Sequence, residues 1–398
     1  MQKNKNTITP DFIEGLITEN GSLFVPDSIL KAIGKCLVST PQKIEEQGVV
    51  LKNSYQEYEH KSEPANVDYS DDISLDAYTV YYMPRSTLIP KIALDLLSYC
   101  EGFQKLPDKL KILDLGSGTG GVTVGLLDLF NNDALSNISL EIVAVDLSKA
   151  ALGRQREIIK HIGHPNAVLK YYSVDLSAIE SCEEILQHYA PYDLIFSGNL
   201  LTELNPTSVD ALIKELPAML NGMGVAVVAE APRDYVIKQI ARISNMVRTL
   251  GLHVYYPCPP KLECPKVAGK GCWVWRRDEF VCPEIDVNGE FLQPTNILPA
   301  SWIILSTRPY SIYDGLQSQY PNLVLGALAP GKTTVEGEVS KQSLELCTPK
   351  GRQELVRKRK VALIDFSSME TAKRGSIMCF SEDFSEVHYF YPPSKSKE

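Results

Sequence analysis

The stretch from Lys111 to Gly121, Lys-Ile-Leu-Asp-Leu-Gly-Ser-Gly-Thr-Gly-Gly, restricts the fold more than any other part of the chain. A short apolar strand runs directly into Gly116, Gly118, Gly120 and Gly121, and Val122-Thr123-Val124 then opens a helix. Glycine is needed where the backbone turns sharply and must approach a ligand without a Cβ in the way. The unit predicts the first strand-to-helix turn of an α/β sheet that binds a nucleotide-like ligand.

The rest of the chain repeats that alternation. Strand-like runs are expected at Lys111 to Leu115, Glu141 to Asp146, Val168 to Val174, Tyr192 to Ser197 and Gly224 to Glu230. Helices are expected near Gly121 to Phe130, Ser148 to Ile162, Ile179 to Tyr189, Ser208 to Leu220 and Arg233 to Leu250. Strands separated by helix-length segments predict a parallel sheet covered on both faces, a Rossmann-like α/β fold. Further strands at Leu252 to Tyr256 and Ser301 to Thr307 complete the sheet. Before it, Leu75 to Tyr99 has helical spacing, with Pro84 near its beginning. The expected division is an N-terminal helical region over 1–74, the ligand-binding domain over 75–320 with a cysteine-rich insert at 257–283, and a small C-terminal β module over 321–398. Strands of that module are expected at Lys360 to Phe366, Gly375 to Phe380 and Val387 to Tyr391.

The placement of acids decides between ligands. Dinucleotide-binding turns carry their acid about 20 residues beyond the glycines. Here Asp114 precedes the first glycine, and Asp146 also ends the next strand, where a carboxylate can accept from both hydroxyls of a ribose. Asp175 ends the third strand, within reach of an adenine amino group. The joint pattern favours S-adenosylmethionine (SAM) over NAD, and over a purely structural pair of turn acids. The candidate SAM-binding residues are Asp114, Gly116, Ser117, Gly118, Gly120, Asp146, Leu147, Asp175 and Asn199. Asn199 and Glu203 follow the fourth strand, facing the transferred methyl group, and could orient an acceptor. No general base is evident, because methyl transfer from a sulfonium needs mainly proximity and in-line geometry.

The chain carries 398 residues and a formal charge of −9, which opposes broad non-specific contact with phosphate backbones. Its one dense basic stretch, Lys350 to Lys360, reads equally as a solvated face or a polyanion contact. No apolar run approaches the roughly 18 to 20 residues needed to span a bilayer, and the opening residues show no secretory or transit signal. A cytoplasmic location without membrane association is expected. Nine cysteines without such a signal argue for thiol or metal chemistry rather than disulfides. Cys258, Cys264, Cys272 and Cys282 crowd into one segment, and Pro259, Pro265 and Pro283 each follow a cysteine. Thiolates are soft ligands for iron–sulfur clusters or zinc. Zinc knuckles pair cysteines two to four residues apart, and no pair here is so close, so a cluster, expected to be 4Fe-4S, is preferred over zinc or unligated thiols.

Taken in order, Tyr78 to Arg85 with its helix, the Asp114 to Gly121 loop, Asn199 to Leu204, Pro257-Cys258-Pro259 with Cys264-Pro265 and Cys272, and Lys360 to Ser367 resemble one family. It is the methyltransferase-like family of mitochondrial small-subunit ribosome assembly factors and their bacterial relatives. The resemblance implies a SAM-binding fold, an iron–sulfur cluster, and association with the ribosomal small subunit. It implies Cys258, Cys264 and Cys272 as cluster ligands. The family's fourth ligand lies on a strand that here ends Ile364-Asp365-Phe366-Ser367-Ser368, without a cysteine. Cys282, Cys347 and Cys379 remain open for that position, and proximity in sequence favours Cys282. Two functions follow: a SAM-dependent methyltransferase carrying the cluster and acting on a small molecule or protein, or a small-subunit assembly factor that uses the fold as a scaffold or on rRNA.

Overall fold

Strands buried on both faces must be apolar at nearly every position, and most of the runs read above as strands meet that demand; Val168 to Val174, with Lys170 and Ser173, instead lies at the half-exposed edge of the sheet. The computed structural model describes residues 6–19, 22–58, 61, 63–64, 71–132, 134–259, 276–319, 324–329, 333–336, 339–348, 351–357, 377–380 and 387–390. From the N-terminus, α1 (Pro10–Ile17) leads to β1 (Thr18–Glu19) and β2 (Ser22–Phe24), then α2 (Asp27–Cys36) and α3 (Pro41–Glu57). Four helices follow: α4 (Asp72–Tyr81), α5 (Met83–Ser86), α6 (Leu88–Ser98) and α7 (Glu101–Gln104). The alternating segment comprises β3 (Lys109–Leu115), α8 (Gly121–Phe130), β4 (Ser139–Asp146), α9 (Lys149–Ile162) and β5 (Ala167–Ser173). It continues through α10 (Ile179–His188), β6 (Tyr192–Gly198), α11 (Pro206–Met219), β7 (Leu220–Glu230) and α12 (Asp234–Met246). Next come β8 (His253–Tyr256), β9 (Arg276–Val281), β10 (Ile285–Val287), β11 (Glu290–Leu292), β12 (Ile297–Ser306) and α13 (Ile312–Gln319).

The main sheet runs β1-β2-β9-β12-β7-β6-β3-β4-β5, with β8 pairing β12. Strands β3 to β7 are mutually parallel, and β12 returns antiparallel on β7, with Ser301 opposite Glu230. Strand order reverses between β3 and β6, which opens a crevice at their carboxyl ends. Alternate residues feed two cores. Leu113, Val143, Ile195, Val228 and Ile303 pack on one face, while Ile112, Ile142, Leu194, Val227 and Trp302 pack on the other. This Rossmann-like sheet is the fold that the alternation of runs predicts.

The expected helix over Leu75 to Tyr99 is instead three helices, α4 to α6. Pro84 lacks an N–H and cannot continue α4, so it sits in the first turn of α5, where that N–H is not needed. The region expected to be helical over 1–74 also carries two strands. Residues Leu23 and Phe24 of β2 pair in parallel with Phe280 and Val281 of β9, so the N-terminus extends the sheet. The C-terminal strands are β13 (Val324–Ala329), β14 (Thr333–Glu336), β15 (Val339–Thr348), β16 (Gly351–Arg357), β17 (Ile377–Phe380) and β18 (Val387–Phe390). They form a separate antiparallel sheet, β14-β15-β13-β17-β18, with β16 on β15. β17 and β18 fall within the strands expected at Gly375 to Phe380 and Val387 to Tyr391; the strand expected over Lys360 to Phe366 lies outside the described residues.

Candidate functional site

The glycine loop leaves β3 with Gly116, Gly118 and Gly120 at φ of +65°, +52° and +94°. A side chain at Gly120 would put its Cβ 2.4 Å from Cγ of Gln155, so glycine is demanded there by space as well as by φ. The loop is fixed by its backbone: Ser117 N–H donates to Val145 O at 2.9 Å, and Gly120 N–H to Ser117 O at 2.8 Å. Asp114 is 1% exposed and accepts from Thr123 Oγ1 at 2.6 Å, joining the strand end to α8. Burial pushes its carboxyl up to about 7, against the lowering effect of the Thr123 hydroxyl.

A cavity of ≈ 330 Å³ opens at the carboxyl ends of β3, β4 and β6. Gly116, Gly118, Asp146, Leu147, Asp175 and Asn199 all line it. Asp114, Ser117 and Gly120 do not; their hydrogen bonds to Thr123, to Val145 and to each other hold the shape of the loop. Asp146 Oδ2 accepts from Gly118 N–H at 2.8 Å and Oδ1 from Ser148 N–H at 2.8 Å. Burial raises the pKa of this carboxyl despite both donors. Leu147 turns an exposed side chain to the cavity, and Asp175 is held by the amide and hydroxyl of Ser177 at 2.9 and 2.6 Å. Glu203 also lies on the wall.

Asn199 has the left-handed φ of 62°, and its N–H donates to Ala229 O at 3.0 Å. The turn after it rests on Glu230, a fully buried carboxyl at the end of β7 that the sequence reading passed over. Leu200 and Leu201 N–H donate to its Oε1 at 2.8 and 2.9 Å, and Thr202 N–H to Oε2 at 3.3 Å. Burial pushes Glu230 up to about 8, overcoming those three donors. An acid closing an apolar strand is the same signal that marks Asp114 and Asp146, and it would have found this residue. Tyr78 of α4 was also missed as a wall of the cavity.

Residues 73–278, more than half of the chain, match the family described as Rsm22, mitochondrial small ribosomal subunit Rsm22. The chain belongs to the Rsm22 family. That description is of a mitochondrial protein and does not confirm the cytoplasmic expectation for this chain. Among curated proteins it is 25% identical over 127 residues to a highly reducing polyketide synthase of Pyrenophora dematioidea, covering 32% of this chain and only 5% of that one. Among solved structures it is similar to magnesium protoporphyrin IX methyltransferase of Synechocystis PCC 6803 with bound SAM. There the identity is 10% and the TM-score 0.33, over 66% of this chain and 97% of that one. Precorrin-6y C5,15-methyltransferase from Geobacter metallireducens GS-15 shows 19% identity and a TM-score of 0.31, over 53% and 83%. A chain of the fibrillarin/Nop5p complex shows 17% and 0.26, over 36% of this chain and 61% of its own length.

Of the cysteines that resemblance to the Rsm22 family singles out, Cys264 and Cys272 lie outside the described residues. Cys258 is half-buried against the core that holds Leu113, whereas Cys282 is buried in the core that holds Trp302. Burial pushes the Cys282 thiol up to about 12. Tyr313 donates to Pro257 O at 2.6 Å; burial, then the neighbouring Cys258 and Cys347 thiols, hold its hydroxyl well above the usual range. Cys347 of β15 therefore shares a neighbourhood with Cys258. Among the described residues no three His, Cys, Asp or Glu side chains converge to hold a metal ion. Nor is any described helix long and apolar enough to cross a membrane.

Proposed function

We propose that this Rsm22-family chain is a SAM-dependent methyltransferase whose cofactor occupies the cavity between Gly118, Asp146, Asp175 and Asn199. The observation that carries the reading is the cavity itself. It sits at the switch point of the sheet, between a glycine loop in left-handed conformations and an acid that clamps the loop's amide. Bound SAM supplies an electrophilic methyl group on a positively charged sulfonium. The protein contributes position and charge: the Gly116 and Gly118 backbone lets a ligand lie against the loop, Asp146 and Asp175 offer carboxylate acceptors, and Glu230 fixes the turn that carries Asn199. Leu147 adds an apolar wall. In this reading Asp114, Ser117 and Gly120 serve the cofactor indirectly, by holding the loop.

Isothermal titration of SAM into the full chain tests it. Gly118→Val, which puts a β-branched residue at φ +52° beside Asp146, should weaken binding at least tenfold, as should Asp146→Ala. SAM that binds both variants like the wild type would remove the assignment.

We further propose, from the family resemblance, that Cys258, Cys264 and Cys272 hold an iron–sulfur cluster with Cys282, Cys347 or Cys379 as fourth ligand. Anaerobic protein should then be brown, and its visible absorbance should fall on Cys258→Ser and on serine substitution at the true fourth position. A colourless protein with stoichiometric zinc would overturn the iron assignment. A second function, binding to the ribosomal small subunit, is favoured by the family's description; failure to co-sediment with small subunits at any salt concentration would overturn it.

A further inference from the structure

A second cavity, of ≈ 440 Å³, adjoins the first and shares Tyr78 and Asn199 with it as a common wall. Its charge is opposite. Among the described residues, the charged groups on the first cavity are Asp146, Asp175 and Glu203, with no Lys or Arg; those on the second are Lys52, Arg85 and Arg233, with no Asp or Glu. In a chain of net charge −9, three cations converging on one hollow are not a sample of the average surface.

The two arginines are held in place without being neutralised. The Arg85 guanidinium lies 4.6 Å above the ring centre of Tyr82, and that of Arg233 lies 4.7 Å above that of Tyr55. The two rings pack at 5.1 Å, and Tyr78 stacks on Tyr82 at 5.4 Å, so one aromatic block supports both cations. The guanidinium groups are close enough to repel each other, and among the described residues no carboxylate forms an ion pair with either. Arg233 is only 8% exposed. Buried polar groups are normally hydrogen-bonded, yet two on this wall have no partner among the described residues: Arg85 Nε and Thr202 Oγ1. Guanidinium groups present planar, paired donors that match an oxyanion, and a half-desolvated site strengthens that match.

We propose that this second cavity receives the methyl acceptor and that the acceptor carries an oxyanion, a phosphate or a carboxylate, bound by Arg85 and Arg233. The acceptor role rests on the SAM assignment of the neighbouring cavity; the anion site stands on its own geometry. The pairing is chemically consistent, since SAM has net positive charge and suits the acidic cavity, while an anionic partner suits the basic one. Asn199 and Tyr78, common to both, form the threshold across which the acceptor atom faces the methyl group.

Titration of the full chain with sodium phosphate and, separately, sodium acetate at constant ionic strength tests the site, with S-adenosylhomocysteine present. One of the two anions should saturate at one site per chain, and which one does so identifies the acid group. Arg233→Gln and Arg85→Gln should each weaken that binding at least tenfold while leaving SAM affinity within about twofold. Absence of saturable binding of either anion to the wild type overturns the proposal, whatever the variants do. So does anion binding that survives both substitutions. Should Arg85→Gln fail to fold, Arg233→Gln and the wild-type titrations still decide. Phosphate or acetate binding that Arg233→Gln abolishes, in a protein that fails to bind SAM, supports the anion site and overturns the methyltransferase reading alone.

Discussion

Glu230 and Asp114 are carboxyls that the folded protein keeps protonated further into the neutral range than the unfolded chain does. Below the unfolded values, 4.5 for Glu230 and 3.8 for Asp114, both states hold the proton and the full contribution to stability is present. As pH rises the unfolded chain releases protons that the folded chain retains, so stability falls until about 7 for Asp114 and about 8 for Glu230. Glu230→Gln keeps an acceptor for Leu200 and Leu201 N–H and removes the titration. The melting temperature of Glu230→Gln relative to wild type should therefore rise by several degrees between about pH 5 and about pH 8. Parallel curves would show that Glu230 does not titrate in that window. At this scale Asp114, Asp146 and the glycines were legible because their spacing is local. Tyr78 and Arg85 were not, since only the packing of α4 and α5 beside the β6 and β7 ends brings them to the cavities.

Helix α4 is the element that carries Tyr78 to both cavities, and its start is written in one residue. Asp71 accepts from Ile73 and Ser74 N–H, both at 2.9 Å, and from the Ser74 hydroxyl at 2.5 Å. The Ser74 hydroxyl, followed by the backbone donors, lowers the pKa of Asp71, so the cap weakens as pH falls through that depressed value. Asp71→Ala should cost about 1 kcal/mol of stability by chemical denaturation. Loosening α4 should also weaken SAM binding, read by titration, while the Asp114 corner itself is untouched; a variant as stable as wild type would remove the cap from the account. Strands β3, β4, β6 and β7 were legible because each carries an apolar run bounded by turn residues, and the half-exposed edge strand β5 because helix-length segments flank it. The break between α4 and α6 had its signal in Pro84, but periodicity alone spanned it. β1 and β2 are too short to show a period, and their pairing depends on β9, far away in sequence.

At the scale of the whole chain, the two cores are joined through strands that present one residue to each face. Trp302 of β12, 1% exposed, is among the described residues the largest side chain on the face that also holds the N-terminal Ile8, Ile13 and Ile29. Trp302→Ala should cost about 3–5 kcal/mol and lower the melting temperature accordingly, with the N-terminal residues becoming protease-sensitive first. A variant that melts like the wild type would mean that β12 and the N-terminal residues do not share this core. The Rossmann-like plan was legible because helix-length segments separate the strands. That the N-terminus completes the far edge of the sheet was not, because it is decided by tertiary contact.

The shared wall of Tyr78 and Asn199 has a thermodynamic corollary. Two ligands that press on the same side chains cannot bind independently: whatever factor one imposes on the affinity of the other, it receives back. Cofactor and anion in this chain should therefore titrate as a linked pair, each shifting the midpoint of the other by the same ratio.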